Sequence, residues 1–474
     1  MIDTSYADTS PLIFPPQKEW RIALHVADPV STWLAPSLVR LARAIQEASE
    51  TKIHLEFFGL RPIQRDETLT GNFFPGDQGA ACDPLALRYG AAWDIPVKVR
   101  FSDTVRSADL LIGSNFENNA SHTFQLRIDA HKQCGNVALA THPNDDLQQI
   151  AFPDRQLPKR RTGPLNLLPT LWDMANAQNV AAEAADYVLR LMLYDLKKQY
   201  TCFAFGQSAT HYFKSRRDTP APVHREIQMV VPPIEGNVHF VLVGCGGTGG
   251  WVMPSLARIA RYVNYEKRSA ALTLVDMDWV ESKNVLRQNF CDAEVDMPKA
   301  ETLASRYEPV FKDPIQRIIR PFTASMIKSL GGENIILIGC VDDHLARREM
   351  HQAVISNPGR VWWIDSGNSR SAGQILIGNS DRIEVQGGRC LALPSPGLQA
   401  PDLLDPAPEP VDQPALSCET MALHQAQSLF VNQRAAAIVS LKLVELLGGT
   451  LSTHATYFDM PTGRITAAPI HDYN

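Results

Sequence analysis

Residues 33–43 read WLAPSLVRLAR and residues 251–261 read WVMPSLARIAR, a repeat that directs the chain toward two copies of one folding unit. Trp33 lies over Trp251, Pro36 over Pro254, Ser37 over Ser255, Arg40 over Arg258 and Arg43 over Arg261, at a constant offset of 218. Just upstream, IALHV (22–26) matches FVLVG (240–244) in apolar character at the same offset. LLIGS (110–114) resembles ILIGC (336–340) at an offset of 226, and GNVALA (135–140) resembles GRVWWI (359–364) at 224. Toward the ends, NVAAEAADYVLRLM (179–192) resembles NQRAAAIVSLKLVE (432–445) at 253, so the second half carries insertions.

Each unit reads as a buried strand, a turn and an amphipathic helix. Strands alternating with helices imply two tandem doubly wound, Rossmann-like α/β domains. The length, 474 residues, suits two or three domains. The boundary is expected near 215–236, where SRRDTPAPV and VPPIEGN are polar or Pro-rich, separating domains at 1–220 and 232–474. Residues 394–416 hold seven prolines and read as a loop inside the second domain.

Composition narrows the function classes. Apolar residues make up 45% of the chain, enough for large cores, and the formal charge of −6 with no basic run gives no nucleic-acid footprint. Eight cysteines at 82, 134, 202, 245, 291, 340, 390 and 418 form no C-x-x-C pair, which argues against structural zinc and for a reducing, cytoplasmic setting. The start, MIDTSYADTSPLIFPP, reads as neither a signal peptide nor a membrane span.

VHFVLVGCGGTGGWVMPSLARI (238–259) is an apolar strand, a glycine turn and a helix. Gly244, Gly246 and Gly249 fit G-x-G-x-x-G, with Gly247 beside them, a spacing that lets backbone N–H groups approach a phosphate at a helix N-terminus. The next strand, LTLVD, ends at Asp276, placed to accept from a ribose hydroxyl. In the first half VADPVST (26–32) replaces the glycines. Asp28 there repels phosphate and Pro29 lacks a donor, so this half is expected to bind no nucleotide.

The segment after Asp276, DMDWVESKNVLRQNFCDAEVDMPKAE, separates the chain from NAD-dependent dehydrogenases. It resembles the ubiquitin-activating, ThiF and MoeB superfamily, whose pattern is Asp-x-Asp, then Asn-Leu-x-Arg-Gln, then an Asp and a Lys. The resemblance covers 232–474 in order, with Val285 where Leu is usual. It implies ATP and Mg2+ as cofactors. It places Asp276 and Asp278 at the ribose and magnesium side, Asn284, Arg287 and Gln288 along the phosphates, and Lys299 against the leaving pyrophosphate. GCVDDHLARR resembles the family's Thr-Asp-Asn-x-x-x-Arg segment, so Asp342 would hold magnesium, and Asp343 stands where Asn is usual. The chemistry requires such residues independently, because a carboxylate attacking an α-phosphate brings two anions together.

Paired adenylation domains, one active and one inactive in a single chain, are what the resemblance implies for the duplication: an intrachain pseudo-dimer. The family often supplies an arginine to ATP from an N-terminal helix of the other half; here no Arg precedes Arg21, which falls at the start of a strand. After the Pro-rich loop, Ser417 reads as an N-cap and Cys418 as the opening of a helix, where a thiolate is favoured. The resemblance makes Cys418 the catalytic cysteine, with Cys390 second; Cys245 and Cys291 read as packing residues and His424 as a surface helix residue. The function implied is activation of a ubiquitin-like protein: adenylation of its C-terminus, a thioester on Cys418 and transfer to a ubiquitin-conjugating-type enzyme. Among such proteins it looks similar to the activating enzymes of bacterial antiphage conjugation operons of the Bil type. Alternatives are an adenylyltransferase for a sulfur carrier or small peptide, a dehydrogenase, and a non-catalytic partner subunit.

Overall fold

A computed structural model describes residues 19–48, 51–80, 83–105, 107–114, 124–131, 134–140, 168–193, 199–204, 207–212, 229–265, 268–285, 288–369, 371–405, 418–460 and 464–470. The first run of elements is β1 (Glu19–His25), α1 (Pro29–Ala48), β2 (Lys52–Phe58), α2 (Glu67–Thr70), α3 (Pro84–Ala92), β3 (Val97–Val99), β4 (Leu110–Gly113), β5 (Phe124–His131), β6 (Cys134–Ala140), α4 (Leu168–Leu193), β7 (Gln199–Ala204) and β8 (Gln207–Tyr212). The second is β9 (Val238–Val243), α5 (Gly247–Tyr265), β10 (Ala270–Val275), α6 (Lys299–Phe311), β11 (Ile315–Ile318), β12 (Asn334–Gly339), α7 (His344–Ile355), β13 (Val361–Asn368), β14 (Ala372–Gly378), β15 (Glu384–Gln386), β16 (Arg389–Ala392), α8 (Pro396–Gln399), α9 (Cys418–Leu447), β17 (Thr453–Asp459) and β18 (Arg464–Pro469).

Sixteen strands join one sheet in the order β11-β10-β9-β12-β13-β14-β17-β18-β8-β7-β6-β5-β4-β1-β2-β3. In the second run β11, β10, β9, β12 and β13 are parallel, and β14, β17 and β18 antiparallel. The first run repeats this strand for strand: β3, β2, β1, β4 and β5 parallel, then β6, β7 and β8 antiparallel. The runs meet where β18 pairs with β8 antiparallel. Parallel strands covered on both faces are mostly apolar, and β9, VHFVLV, is buried at every position, with both ring nitrogens of His239 hydrogen-bonded, to Thr273 and the carbonyl of Gly331.

That order corrects one of the sequence matches. GNVALA lies in β6, antiparallel to β5, whereas GRVWWI runs into β13, parallel to β12. By topology β5 answers β13 and β6 answers β14. Apolar strand patterns alone do not report direction.

Helices α1, α4, α5 and α9 pack on one another where the runs meet. Both α1 and α5 carry an internal proline, Pro36 and Pro254, at the same point of the repeat. Between α4 and α9, Asn179 donates to the carbonyl of Ala437 at 3.1 Å and Arg434 donates to the carbonyl of Asn179 at 2.7 Å. Arg434 also pairs with Glu183 at 3.1 Å, both side chains buried. Among the described residues no helix is long and apolar enough to cross a membrane.

The Pro-rich stretch also departs from expectation. Residues 394–405 are not all loop: α8 starts with Pro396 at its first turn, where its missing N–H leaves nothing unsatisfied, and a 3-10 turn follows at Pro401–Leu403. Gln399 ties this piece down, donating to the carbonyls of Ile377 at 2.8 Å and Pro394 at 2.7 Å. Residues 406–417 lie outside the described residues. So does most of the expected domain boundary, but residues 229–236 are anchored on the second run, where Cys390 donates its N–H to Val230 and Val231 to Leu451.

Candidate functional site

Strand β9 has β10 on one side and β12 on the other, so the connections leave in opposite directions and open a crevice at the strands' C-terminal ends. A cavity of about 1100 Å³ fills it. The glycine turn forms its floor. Gly244 has φ +89°, and a Cβ there would stand 2.5 Å from the Cys340 carbonyl oxygen. A Cβ on Gly249 would stand 1.9 Å from the carbonyl oxygen of Gly244, so this glycine lets the helix close on the turn. It does not line the cavity, whereas Gly244, Gly246 and Gly247 do.

Asp276 and Asp278 line the wall beside β10. Asp276 Oδ2 accepts from Cys245 N at 2.6 Å and Oδ1 from Asp278 N at 2.8 Å, while burial raises its pKa above the usual carboxylate value. A ribose hydroxyl would therefore use the lone pairs these amides leave. Lys299, nearly buried at the start of α6, holds Asp278 Oδ2 at 3.0 Å. Gln288 faces Gly246 with its Oε1 buried and without a hydrogen-bond partner among the described residues.

Asn284 is placed differently from expectation. It is 4% exposed and absent from the cavity wall; its Oδ1 accepts the N–H of Glu281 at 2.9 Å and closes the short 3-10 turn Ser282–Asn284. The motif placed it along the chain but not which way the side chain turns. Arg287 lies outside the described residues, as does the side chain of Cys418, although α9 does begin at Cys418. Arg21 is the third residue of β1.

Asp342 is exposed in the cavity wall and makes no hydrogen bond or ion pair among the described residues. Asp343 is the N-cap of α7, its oxygens accepting from Leu345 N at 3.0 Å and Ala346 N at 3.2 Å. Asp343→Ala should therefore lower stability by about 1 kcal/mol in urea unfolding, while Asp343→Asn, which also caps well, should lose much less. Equal losses would remove the capping role. No three His, Cys, Asp or Glu side chains gather as a metal cage among the described residues. A single free carboxylate suits magnesium that arrives with phosphates and keeps its waters.

Sequence reading gave several wall residues no role, Arg347 among them although it ends the motif match in GCVDDHLARR. Arg347 pairs with Asp365 at 3.2 Å and donates to the carbonyl of Val341 at 2.7 Å, fixing the start of α7. Asp365 is fully buried, and burial raises its pKa against the pull of Arg347. Thr248, Asn368 and Asn432 meet in a hydrogen-bonded group, Thr248 donating to Asn432 at 3.1 Å and Asn368 to Asn432 at 3.0 Å. A Cβ on Gly247 would stand 2.6 Å from Asn432, so this glycine also makes room for α9. Arg320 projects from the loop after β11 with no acceptor among the described residues.

In the first run the matching helix N-terminus is closed by its own residues. Ser31 N donates to Asp28 Oδ1 at 2.9 Å and Ser31 Oγ to the Asp28 carbonyl at 2.7 Å. Cys390 is buried, its thiol donating to the Ala392 carbonyl at 3.1 Å, and burial pushes it up to about 11. Cys245 and Cys340 are raised by burial as well, so none of these three favours a thiolate.

Crevice, glycine turn and helix N-terminus are those of an α/β domain of the doubly wound class. Residues 236–463 match the ThiF family, and this segment is a ThiF family domain. No curated protein sequence matches the chain. Similar solved structures include E. coli MccB with AMPCPP and MccA, at 15% identity over 49% of this chain and 63% of that one, TM-score 0.33. E. coli MccB with ATP is 16% identical over 49% and 64%, TM-score 0.34. PaaA is 15% identical over 50% and 64%, TM-score 0.32. The chain thus spans somewhat under two thirds of these structures.

Proposed function

We propose that residues 232–474 form an ATP- and magnesium-dependent adenylation domain that activates the C-terminal carboxylate of a ubiquitin-like protein. The observation that carries this reading is the meeting of the glycine turn, Lys299, Gln288 and Asp342 around one cavity, within the ThiF family segment. The residues fit the nucleotide. Among the described residues the Oε1 of Gln288 lacks a partner beside Gly246, and Asp342 is a carboxylate with none.

In this reading Gly246, Gly247 and the start of α5 hold phosphates, Asp276 the ribose, and Asp342 magnesium. Magnesium supplies charge neutralisation at the phosphates. Lys299 is held by Asp278 before any anion arrives, so its ammonium is already positioned near developing negative charge. Arg287 would add a planar fork. Thr248, Asn368 and Asn432 lie toward α9 and offer donors to the incoming tail. Cys418, the first residue of α9, would take the acyl group as a thioester and pass it to a conjugating-type enzyme. Residues 1–220 are read as an inactive adenylation-like domain. The repeated strand order and the self-capped Asp28 turn support an intrachain pseudo-dimer with one working site. A cytoplasmic role in bacterial antiphage conjugation is the biological setting proposed.

Calorimetry tests the nucleotide directly. ATP with magnesium should bind at one site per chain, and NAD should not bind. Tight NAD binding without ATP binding would replace this reading with a dehydrogenase.

A further inference from the structure

The segment that carries Gln288 into the cavity is gripped by side chains of the first half of the chain. Arg40 of α1 is 1% exposed, and its Nη2 donates to the carbonyl of Val285 at 3.2 Å and to the carbonyl of Gln288. Trp93, just after α3, donates its indole N–H to the carbonyl of Phe290 at 3.2 Å. Arg43, one turn along α1 from Arg40, pairs with Asp292 at 2.8 Å. Side chains of the first half thus hold the backbone carbonyls of Val285, Gln288 and Phe290 and the side-chain carboxylate of Asp292.

Among the described residues Arg40 has no carboxylate partner. Its guanidinium carbon lies 5.0 Å from the ring centroids of both Trp93 and Trp251. Its Nε and Nη1 have no hydrogen-bond acceptor among the described residues. Burial, with Arg306 nearby, pushes the guanidinium down to about 9. A buried cation is costly unless its contacts offset the loss of water. Here the offset comes from two aromatic faces and two carbonyls, and those carbonyls flank the Gln288 segment.

The repeat supplies a matched control. Arg258 stands at the equivalent point of α5, fully buried; its guanidinium carbon is 4.9 Å from the Trp33 centroid, and its Nη2 donates to the carbonyl of Phe73 at 2.8 Å. The same device therefore runs in the opposite direction, from the second half onto the first. Phe73 lines no part of the cavity.

We propose that Arg40 is a positioning residue for nucleotide binding, holding the carbonyls of Val285 and Gln288 so that the Gln288 amide is set against Gly246. This rests on the ATP reading above. It assigns the first half a part in the site although it holds no nucleotide itself.

The test compares Arg40→Met, Trp93→Phe and Arg258→Met in the full chain. Three readouts are used: calorimetric Kd for ATP with magnesium, hydrogen exchange at named amides, and thermal unfolding. The Val285 and Gln288 amides are bonded to the carbonyls of Ser282 and Asn284, so loosening is visible there. Arg40→Met should speed their exchange and raise Kd by about tenfold or more. Trp93→Phe, which keeps an aromatic face but removes the indole N–H donor, should shift both the same way by less. Arg258→Met should lower Tm about as much as Arg40→Met, with wild-type Kd and wild-type exchange at Val285 and Gln288. A wild-type Kd in both Arg40→Met and Trp93→Phe overturns the proposal. So does a Kd raised equally by Arg258→Met, which would reduce Arg40 to general packing. If Arg40→Met does not fold, Trp93→Phe against Arg258→Met decides alone. If the wild-type chain binds no ATP, the nucleotide reading itself falls and takes this proposal with it, an outcome distinct from the others.

Discussion

Cys418→Ala is expected to keep exchanging pyrophosphate into ATP while losing every thiol-sensitive adduct with the ubiquitin-like protein. In the proposed function the two half-reactions use different parts of the chain. Adenylation would draw on the cavity, where Gln288, Lys299 and Asp342 stand. Thioester formation needs an ionisable thiol. Cys245, Cys340 and Cys390 are all pushed up by burial. Cys418 opens a thirty-residue helix, and a helix N-terminus stabilises a thiolate. The loss of adduct should be complete on a non-reducing gel, with exchange within about threefold of wild type, under 1 kcal/mol. Cys390→Ala should charge normally. An adduct that survives Cys418→Ala and vanishes in Cys390→Ala would move the nucleophile. A wild type that makes adenylate but never a thioester would favour the alternative adenylyltransferase for a sulfur carrier or small peptide.

Asp342→Ala should reduce pyrophosphate exchange by about a thousandfold, roughly the 4 kcal/mol that one electrostatic contact to a transition state is worth. Stability should hardly change. Asp342 is exposed and makes no hydrogen bond or ion pair among the described residues, so its removal strands nothing. Its neighbour behaves oppositely: Asp343 caps α7 and its replacement acts on folding. Exchange at the wild-type rate in Asp342→Ala, with Tm unchanged, would take magnesium away from this residue. Exchange lost together with a large drop in Tm would mean a structural role the geometry does not anticipate.

How much of this was legible beforehand differs by residue, for physical reasons. The glycine turn was fully readable, because φ and close approach are properties of glycine itself. Trp33 over Trp251 and Arg40 over Arg258 were visible as a repeat, but not their crossing. Each arginine stacks on the other half's tryptophan, a fact of packing and not of order along the chain. The GNVALA match failed because an apolar alternation is the same read parallel or antiparallel. Asn284 was placed by a motif, and a motif states spacing without stating which face a side chain takes. Arg347 ends the motif match in GCVDDHLARR, but its pairing went unread because its partner, Asp365, stands on β13 and not on α7. The proline-rich piece at 394–405 read as loop because prolines break helix interiors, yet Pro396 and Pro401 stand at first turns, where they are tolerated.

The joined sheet has a consequence for how this molecule keeps company with others. Open strand edges are templates that recruit further strands and lead toward fibrous aggregates. Pairing β18 with β8 hides two such edges in the interior and leaves one at each end. Those ends are β3, three residues long, and β11, four residues long. Each carries a cation mid-strand, Lys98 in β3 and Arg317 in β11, with Arg317 bound to Glu301 and Glu308. A newcomer strand would find a foothold of a few residues and a charge to bury. Lengthening β11 with an alternating apolar extension is the sort of change that would turn this edge into an adhesive one.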